Sequence, residues 1–178
     1  MEGINNIPKA GGFILTSNHV SYIDPVVLGC ACNRSLNYMA RDTLFKTPLL
    51  GAWMRAVRCI PVKRKSADLS ALKEAIRRVN NGEGIGLFPE GTRSQEGKLS
   101  DNVEAGVGFL AAKLSVPVIP AFIAGSEKAL PRGTNFLRPT EIKVIFGKPA
   151  VFDKKMPYEE IARSILGDIR HLAVKNSK

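Results

Sequence analysis

The sequence predicts an α/β fold, a single domain built on a largely parallel sheet that is flanked by helices. Short apolar runs alternate with segments of helical periodicity from one end of the chain to the other, as in folds of this class. The chain has 178 residues and no internal repeat, which suits one domain. Hydrophobic residues make up 44% and charged residues 24% of it, which excludes collagen-like and broadly disordered chains. We therefore expect residues 1–178 to form a single domain.

Six segments have strand character, because each is a short apolar run bounded by Gly, Pro or polar turn residues. The third contains Pro61, which cannot donate to a sheet ladder and so indicates an edge strand or a strand end. The fourth runs directly into a polar loop, where α/β proteins often carry their chemistry. In chain order the predicted strands are Gly12–Ser17, Ser35–Ala40, Val57–Val62, Gly84–Phe88, Val116–Ala124 and Glu141–Phe146.

Four helices are predicted from start signals and from apolar periodicity. The first begins at Asp24-Pro25, with Asp24 as the N-cap and Pro25 at the first helical position. The second is the clearest, because its apolar residues recur at three- and four-residue spacing and Asn81-Gly82 closes it. The basic, breaker-rich segment 125–138 could be a lid or a connection, and we interpret it as a connection. In chain order the predicted helices are Val26–Ala31, Ser66–Asn80, Val103–Leu114 and Pro157–Val174.

The chain is strongly basic, with 26 Lys and Arg against 16 Asp and Glu and a net charge of +10. This excess favours an anionic partner, which is nucleic acid, an anionic membrane surface or a phosphorylated substrate. Cys30, Cys32 and Cys59 are too few and too odd in number for a disulfide framework, so we interpret them as buried thiols in a reducing compartment. No apolar run approaches the ~20 residues of a membrane span.

The first candidate for chemistry lies at the end of the first strand. On one helix His19 and Asp24 would stand about 140° apart, so they can meet only if the chain turns between them. A strand end followed by a helix start supplies that turn. A carboxylate bonded to one imidazole nitrogen leaves the other as a base, so the pair is a candidate general-base dyad. The alternative is that Asp24 only caps the helix and His19 is an ordinary histidine.

The second candidate is the loop Phe88–Ser94, with the sequence Phe-Pro-Glu-Gly-Thr-Arg-Ser. A guanidinium, hydroxyl groups, a carboxylate and a glycine that lets backbone N–H groups approach together suit a phosphate monoester. The alternative is a surface turn in which Glu90 and Arg93 pair with each other. A run of cations without an acid precedes this loop: Arg55, Arg58, Lys63, Arg64 and Lys65.

Two other glycine patterns fail as nucleotide sites. Gly91–Lys98 has five residues between its glycines where a P-loop has four, and Leu99 stands where Ser or Thr should follow the lysine. Gly106-Val107-Gly108 matches the start of a dinucleotide fingerprint, but it falls within a predicted helix with no strand immediately before it. We interpret that pattern as helix packing.

The two candidate motifs together resemble a known family. Asn18-His19-x-Ser21-x-x-Asp24, followed about seventy residues later by Phe88–Ser94, is similar to the glycerolipid acyltransferases and closest to the 1-acylglycerol-3-phosphate acyltransferases. Two weaker family blocks, Cys59–Arg64 and Val116–Ala121, occur in the expected order. The resemblance covers nearly the whole chain and implies a glycerol-3-phosphate acyltransferase-like fold. The family commonly carries a membrane helix and a first strand upstream, and both are apparently absent here, which implies either that the chain is a fragment or that its membrane attachment is peripheral.

The resemblance implies transfer of a fatty acyl group from acyl-CoA or acyl carrier protein to the sn-2 hydroxyl of 1-acylglycerol-3-phosphate (lysophosphatidic acid), giving phosphatidic acid. His19 would be the general base, Asp24 would orient it, and Ser21 would fix the loop around it. The family's chemistry is direct transfer and implies neither a metal nor a bound cofactor. The glycerol phosphate would be held by a second set of residues, namely Arg64, Glu90, Gly91, Thr92 and Arg93.

These substrates imply a peripheral location on the cytoplasmic face of the membrane, with an anionic membrane surface as a partner. The sequence offers one stretch for this contact, where cations surround a set of apolar residues. The alternative is that the same side chains complete the core. The set consists of Leu44, Phe45, Leu49, Leu50, Trp53 and Met54.

Three other functions remain alternatives: an acyltransferase for another lysolipid, a catalytically silent lipid-binding protein, and a basic nucleic-acid-binding module. The intact His19, Asp24 and Arg93 argue against a silent relative. Nucleic acid is not expected as a partner, because aromatic residues are 7% of the chain and are not interleaved with the cations as stacking platforms.

Overall fold

A six-stranded sheet forms the centre of the molecule in the computed structural model, which describes residues 1–63, 68–94, 103–134 and 136–176. The strand order is β3-β2-β4-β1-β5-β6, and every neighbouring pair is parallel except β5 and β6. The predicted α/β class with a largely parallel sheet is therefore confirmed. The strands are β1 Phe13–Ser17, β2 Leu36–Arg41, β3 Ile60–Val62, β4 Gly84–Leu87, β5 Val118–Ala124 and β6 Lys143–Phe146.

The helices of the described ranges include the four predicted ones and two more. The apolar stretch around Pro48 forms α2, which has this proline in its first turn, and a single helical turn, α5, interrupts the segment predicted as a connection. None of the described helices is long and apolar enough to cross a membrane. The helices are α1 Asp24–Ala31, α2 Pro48–Ala56, α3 Leu69–Asn80, α4 Ala105–Leu114, α5 Ser126–Ala129 and α6 Tyr158–Asn176.

The edge strand β3 contains Pro61, as expected, but it begins three residues later than the prediction. The reason is a turn at Arg58, whose φ of 57° lies in the left-handed region and interrupts extended backbone. The N–H of Cys59 then closes the turn on the carbonyl of Met54 at 2.9 Å. Only after this turn can the chain pair with β2.

Strand β1 is buried along its length and supplies side chains to two cores, one on each face of the sheet. Ile14 joins Ile85 in the core beneath α3, α4 and α6, whereas Phe13 and Leu15 join Leu28 of α1 on the other face. Full burial of such a side chain contributes ~1.5–3 kcal/mol. Because both faces are covered, the central strands are continuously apolar, which explains why they were recognisable in the sequence.

Helices α4 and α6 meet at a glycine. A Cβ at Gly108 would collide with the backbone of Tyr158, so only glycine allows this approach, whereas Gly106 faces open space. The packing interpretation is thus confirmed for Gly108.

The cysteines were predicted to be buried thiols, and this is wrong for Cys30. Cys32 is buried and Cys59 is half-buried, and burial raises the pKa of both thiols. Leu28 and Ala31 lie on the face of α1 that packs against the core. Cys30 lies on the opposite face of the helix and is therefore exposed.

The parallel strands β1, β2, β4 and β5 end at the same edge of the sheet, which we call the carboxyl edge. The segments that leave the sheet there include the His19 loop after β1, a 3-10 helix (Asp42–Lys46) after β2, the Phe88–Ser94 loop after β4, and α5 after β5. In open sheets of this kind, ligands bind beyond the carboxyl ends of the strands. Both candidate motifs therefore lie at the edge where a site is expected.

Candidate active site

His19 and Asp24 lie together at the carboxyl edge, in the turn between β1 and α1. The imidazole Nδ1 is 2.8 Å from Asp24 Oδ2. The same carboxylate oxygen accepts the backbone N–H groups of Val20 and Ser21, each at 2.7 Å. The chain between the two residues thus leaves helical geometry, and the carboxylate closes the turn.

Asp24 does not cap α1, contrary to the prediction. Asp24 is the first residue of the helix, and Ile23 occupies the N-cap position without a side-chain hydrogen bond. The carboxylate turns back because the preceding loop offers three donors to one of its oxygens.

The pair is buried on one side and open on the other. Asp24 is fully buried, whereas the His19 side chain keeps 18% of its surface exposed. With Nδ1 donating to the carboxylate, Nε2 is the nitrogen that can take a proton. The geometry therefore suits a general base whose orientation is fixed from behind.

An aromatic wall, formed by Phe88 and Tyr38, supports the imidazole, and it was not predicted from the sequence. The Phe88 ring stacks on His19 with centroids 4.2 Å apart, and Tyr38 stacks behind Phe88 at 6.3 Å. Gly86 makes room for this wall, because a Cβ there would collide with the Tyr38 ring. Burial raises the pKa of Tyr38, so its phenol stays neutral. The available signal was the pair Gly86 and Phe88, which are two residues apart at the end of β4 and therefore face the same side of the sheet.

Glu90 fixes the backbone of His19. Its side chain is 4% exposed, and Oε1 accepts the N–H of His19 at 3.0 Å. From the other side, the N–H of Ser94 donates to the carbonyl of His19 at 2.9 Å. The burial of Glu90 argues against a simple surface turn. The loop Phe88–Ser94 binds both the backbone N–H and the backbone carbonyl of His19.

Arg93 lies beside the His19 loop. Its guanidinium carbon is 3.4 Å from the ring centroid of Tyr22, a residue of that loop which is itself 68% exposed. Gly91 has a φ of 64°, in the left-handed region that glycine adopts at low cost, and a Cβ there would collide with Glu104. Thr92 is exposed at the same turn. Arg64, the remaining predicted phosphate contact, lies outside the described residues.

Three hydrogen bonds attach the site to β5 and to the segment that follows it. The hydroxyl of Ser21 donates to the carbonyl of Leu130 at 3.0 Å. The buried amide of Asn18 bonds both backbone groups of Ile123, at 2.8 and 2.9 Å. Asn18 was part of the sequence motif but had no predicted role; its signal was a polar residue at the end of a buried strand. Within the described residues, no group of three His, Cys, Asp or Glu side chains is placed to hold a metal ion.

Several known proteins are similar to this chain. A family model described as Acyltransferase matches residues 1–124. The chain is similar to the chloroplastic 1-acyl-sn-glycerol-3-phosphate acyltransferase BAT2 of Brassica napus, with 31% identity over 153 residues, 84% of this chain and 44% of that protein. It is also similar to the 1-acyl-sn-glycerol-3-phosphate acyltransferase of Bacillus subtilis, with 28% identity over 145 residues, 81% of this chain and 69% of that protein.

A solved structure matches the whole fold. The crystal structure of the 1-acyl-sn-glycerophosphate (LPA) acyltransferase PlsC from Thermotoga maritima superposes with a TM-score of 0.81 and 29% identity, covering 99% of this chain and 71% of that one. The chain spans less than half the length of the Brassica napus relative. Because the family model covers more than half of this chain, and covers both motifs of the site, the chain belongs to the acyltransferase family.

Proposed function

We propose that the protein transfers a fatty acyl group from acyl-CoA or acyl carrier protein to the sn-2 hydroxyl of 1-acylglycerol-3-phosphate, giving phosphatidic acid. The observation that carries this proposal is the His19–Asp24 pair, buried behind and open in front, with Arg93 beside it. Relatives named for this activity match most of the chain, which supports the choice of substrate.

In the proposed reaction His19 acts as the general base. Nε2 takes the proton of the acceptor hydroxyl while the oxygen attacks the thioester carbonyl, and the imidazolium returns that proton to the thiolate when it leaves. Asp24 stabilises the imidazolium through the 2.8 Å bond to Nδ1. Proton transfer from a positioned base contributes ~10² to 10⁴ to the rate.

The phosphate of the acceptor is proposed to bind at the Phe88–Ser94 loop. The guanidinium of Arg93 is held next to the His19 loop by Tyr22, where it can bond two phosphate oxygens at once. Gly91 and Thr92 shape the turn in front of it, and Arg64 adds positive charge. Glu90 serves this site by holding His19, as its hydrogen bond indicates.

The proposed enzyme works as a peripheral protein on the cytoplasmic face of an anionic membrane, and it uses no bound cofactor or metal. The net charge of +10 supports the choice of an anionic surface.

The decisive experiment measures thiol release from a long-chain acyl-CoA in the presence of detergent-dispersed lysophosphatidic acid. His19→Ala should lose most of the rate while the circular dichroism spectrum is unchanged. The matched control is His171→Ala, because His171 is the other histidine of the chain and is exposed on α6. Unchanged turnover in His19→Ala would overturn the proposed role of the dyad.

A panel of acceptors distinguishes lysophosphatidic acid from other lysolipids. Arg93 favours a terminal phosphate, which carries more charge and more free oxygens than a phosphodiester. Lysophosphatidic acid should therefore react faster than lysophosphatidylcholine or lysophosphatidylethanolamine. A faster reaction with either of the latter would identify a different acceptor for the same chemistry.

A further inference from the structure

Helix α2 turns an apolar face to solvent. Leu49 is 88% and Trp53 44% exposed, and Ala52 and Ala56, which share their side of the helix, are exposed as well. The one buried residue of α2 is Gly51, which packs under the backbone of the 3-10 helix. A surface helix normally turns its apolar stripe inward, so Leu49 and Trp53 do not complete the core.

A second apolar protrusion follows β5. The ends of the segment 129–138 are joined by a backbone hydrogen bond of 2.8 Å, and Phe136 and Leu137 within it are 83% and 69% exposed. The hydroxyl of Ser21 donates to a carbonyl at the base of this segment. The protrusion is therefore attached to the loop that carries His19.

The two protrusions lie on either side of the candidate active site. The 3-10 helix and α2 follow the carboxyl end of β2, and the segment 129–138 follows the carboxyl end of β5 and the short α5. In the sheet, β4 and β1 stand between β2 and β5, and these two strands deliver Phe88 and His19. Both apolar protrusions thus flank His19 at the carboxyl edge.

Cations outnumber acids at both protrusions. From residue 41 to 63 the chain has five cations and one acid, Asp42, and from 127 to 141 it has three cations and two acids, Glu127 and Glu141. Of these, Arg58 is paired with Glu83. The others that carry the argument are exposed: Lys46, Arg55, Lys63, Lys128, Arg132 and Arg138.

This combination identifies the kind of partner. Apolar side chains with cations around them suit a bilayer that contains anionic lipids, because the former enter the acyl boundary and the latter contact the headgroups. A second copy of this chain is a poorer fit, because it has the same charge of +10 and would be repelled.

We propose that the outer face of α2 and the tip of the segment 129–138 together dock the protein on an anionic bilayer, with the carboxyl edge and His19 towards the lipid. This proposal rests on the proposed function and adds to it the docking surface and the orientation of the molecule. A lysolipid would then reach His19 from the bilayer without crossing water.

The test uses the full chain and the emission of Trp53, the single tryptophan of the protein. Vesicles of phosphatidylcholine with phosphatidylglycerol should shift the emission to shorter wavelength, and brominated acyl chains should quench it. The effect should be weaker with phosphatidylcholine alone and should decrease with added salt.

Variants test the orientation by co-sedimentation with the same vesicles. Leu49→Glu and Phe136→Glu should each lower binding about tenfold or more, because each places a carboxylate in the contact with anionic lipid. The matched control is Val151→Glu, which is 63% exposed but lies next to the start of β5, at the opposite edge, and should bind like the wild type. Because these positions are exposed, all three variants should keep their turnover of detergent-dispersed substrate.

Three outcomes would overturn the docking proposal: an emission spectrum that no vesicle changes, an equal loss of binding in Val151→Glu, or a concentration-dependent shift without vesicles, which would mean that a second copy covers α2. Normal vesicle binding with no turnover in detergent would refute the proposed function and leave the docking surface supported. The two proposals can therefore fail separately.

Discussion

At the edge of the sheet where the parallel strands begin, which we call the amino edge, the guanidinium of Arg78 donates to Glu74 at 2.7 Å, to Asn37 at 2.6 Å and to the carbonyl of Arg58. The Asn37 amide in turn donates to Glu83 at 2.9 Å. At the carboxyl edge, three donors converge on one oxygen of Asp24, but the outer side of the imidazole stays exposed.

The difference separates a structural cluster from a candidate site. At the amino edge, donors and acceptors of the protein bond one another, which fixes α3 against β2 and the turn before β3. At the carboxyl edge the inner half of the cluster is bonded in the same way, so that the imidazole is held in one orientation, while its outer half is left for a substrate. Substitutions at the two edges should therefore affect different properties.

The largest effect is expected for Asp24→Asn. The amide oxygen can still accept the N–H groups of Val20 and Ser21, so the turn should persist, but the charge that stabilises the imidazolium is lost. We expect turnover to fall ~10² to 10⁴-fold with little change in the thermal unfolding midpoint. Steady-state kinetics with calorimetry measures both; a loss of a few-fold only would remove Asp24 from the mechanism.

Arg78→Met should show the opposite behaviour. The Arg78 side chain is 13% exposed. Its removal takes a hydrogen-bond donor from the side-chain oxygen of Asn37 and another from the carbonyl of Arg58. We expect a loss of ~2–4 kcal/mol in the free energy of unfolding, measured in urea, with unchanged turnover of the folded protein. The control is Arg77→Met, which removes an exposed partner of the same Glu74 and should change stability little. A lower turnover of the folded Arg78→Met protein would contradict the claim that the amino edge affects only stability.

Arg93→Ala tests the open side of the carboxyl edge. Loss of a charge-assisted bond of ~1.5–3 kcal/mol should raise the KM for lysophosphatidic acid about tenfold or more and leave the KM for acyl-CoA nearly unchanged. Arg93→Lys should recover part of the loss, because it keeps the charge but not the paired donors. If the KM values of both substrates rise equally, Arg93 does not bind the acceptor phosphate specifically.

The smallest effect is expected for substitution of Asp68, which lies at the carboxyl edge but contributes to stability and not to activity. Asp68 caps α3 through the N–H groups of Ser70 and Ala71, and hydrogen bonds, foremost with the Ser70 hydroxyl, lower its pKa to about 2. Because the folded pKa lies below the unfolded one, this cap contributes stability above pH ~4 and loses it as the pH falls towards 2. Asp68→Ala should therefore lower the unfolding midpoint much more at pH 7 than at pH 2, without any effect on turnover. A pH-independent difference would mean that the carboxylate charge is not what stabilises the helix.

Local sequence patterns determined much of this molecule. The buried strands were recognisable because each is an apolar run between turn residues, and α3 because its apolar residues follow the helical period. The contact between His19 and Asp24 was also predictable, because the two residues are only five positions apart and a single turn between them brings their side chains together.

Other features were decided only when distant segments met. Glu90 reaches the backbone of His19 across 71 positions and Asn18 reaches Ile123 across 105, and no local pattern encodes either contact. The Asp24 carboxylate accepts hydrogen bonds from the folded loop before α1. The sequence had instead predicted that it caps the N-terminus of α1. Likewise, the apolar stretch around Trp53 was compatible with the core and with a membrane-binding surface. Apolar side chains favour removal from water, but their sequence does not say whether the protein core or a partner covers them. Only the tertiary structure shows that α2 exposes Leu49 and Trp53 beside the site.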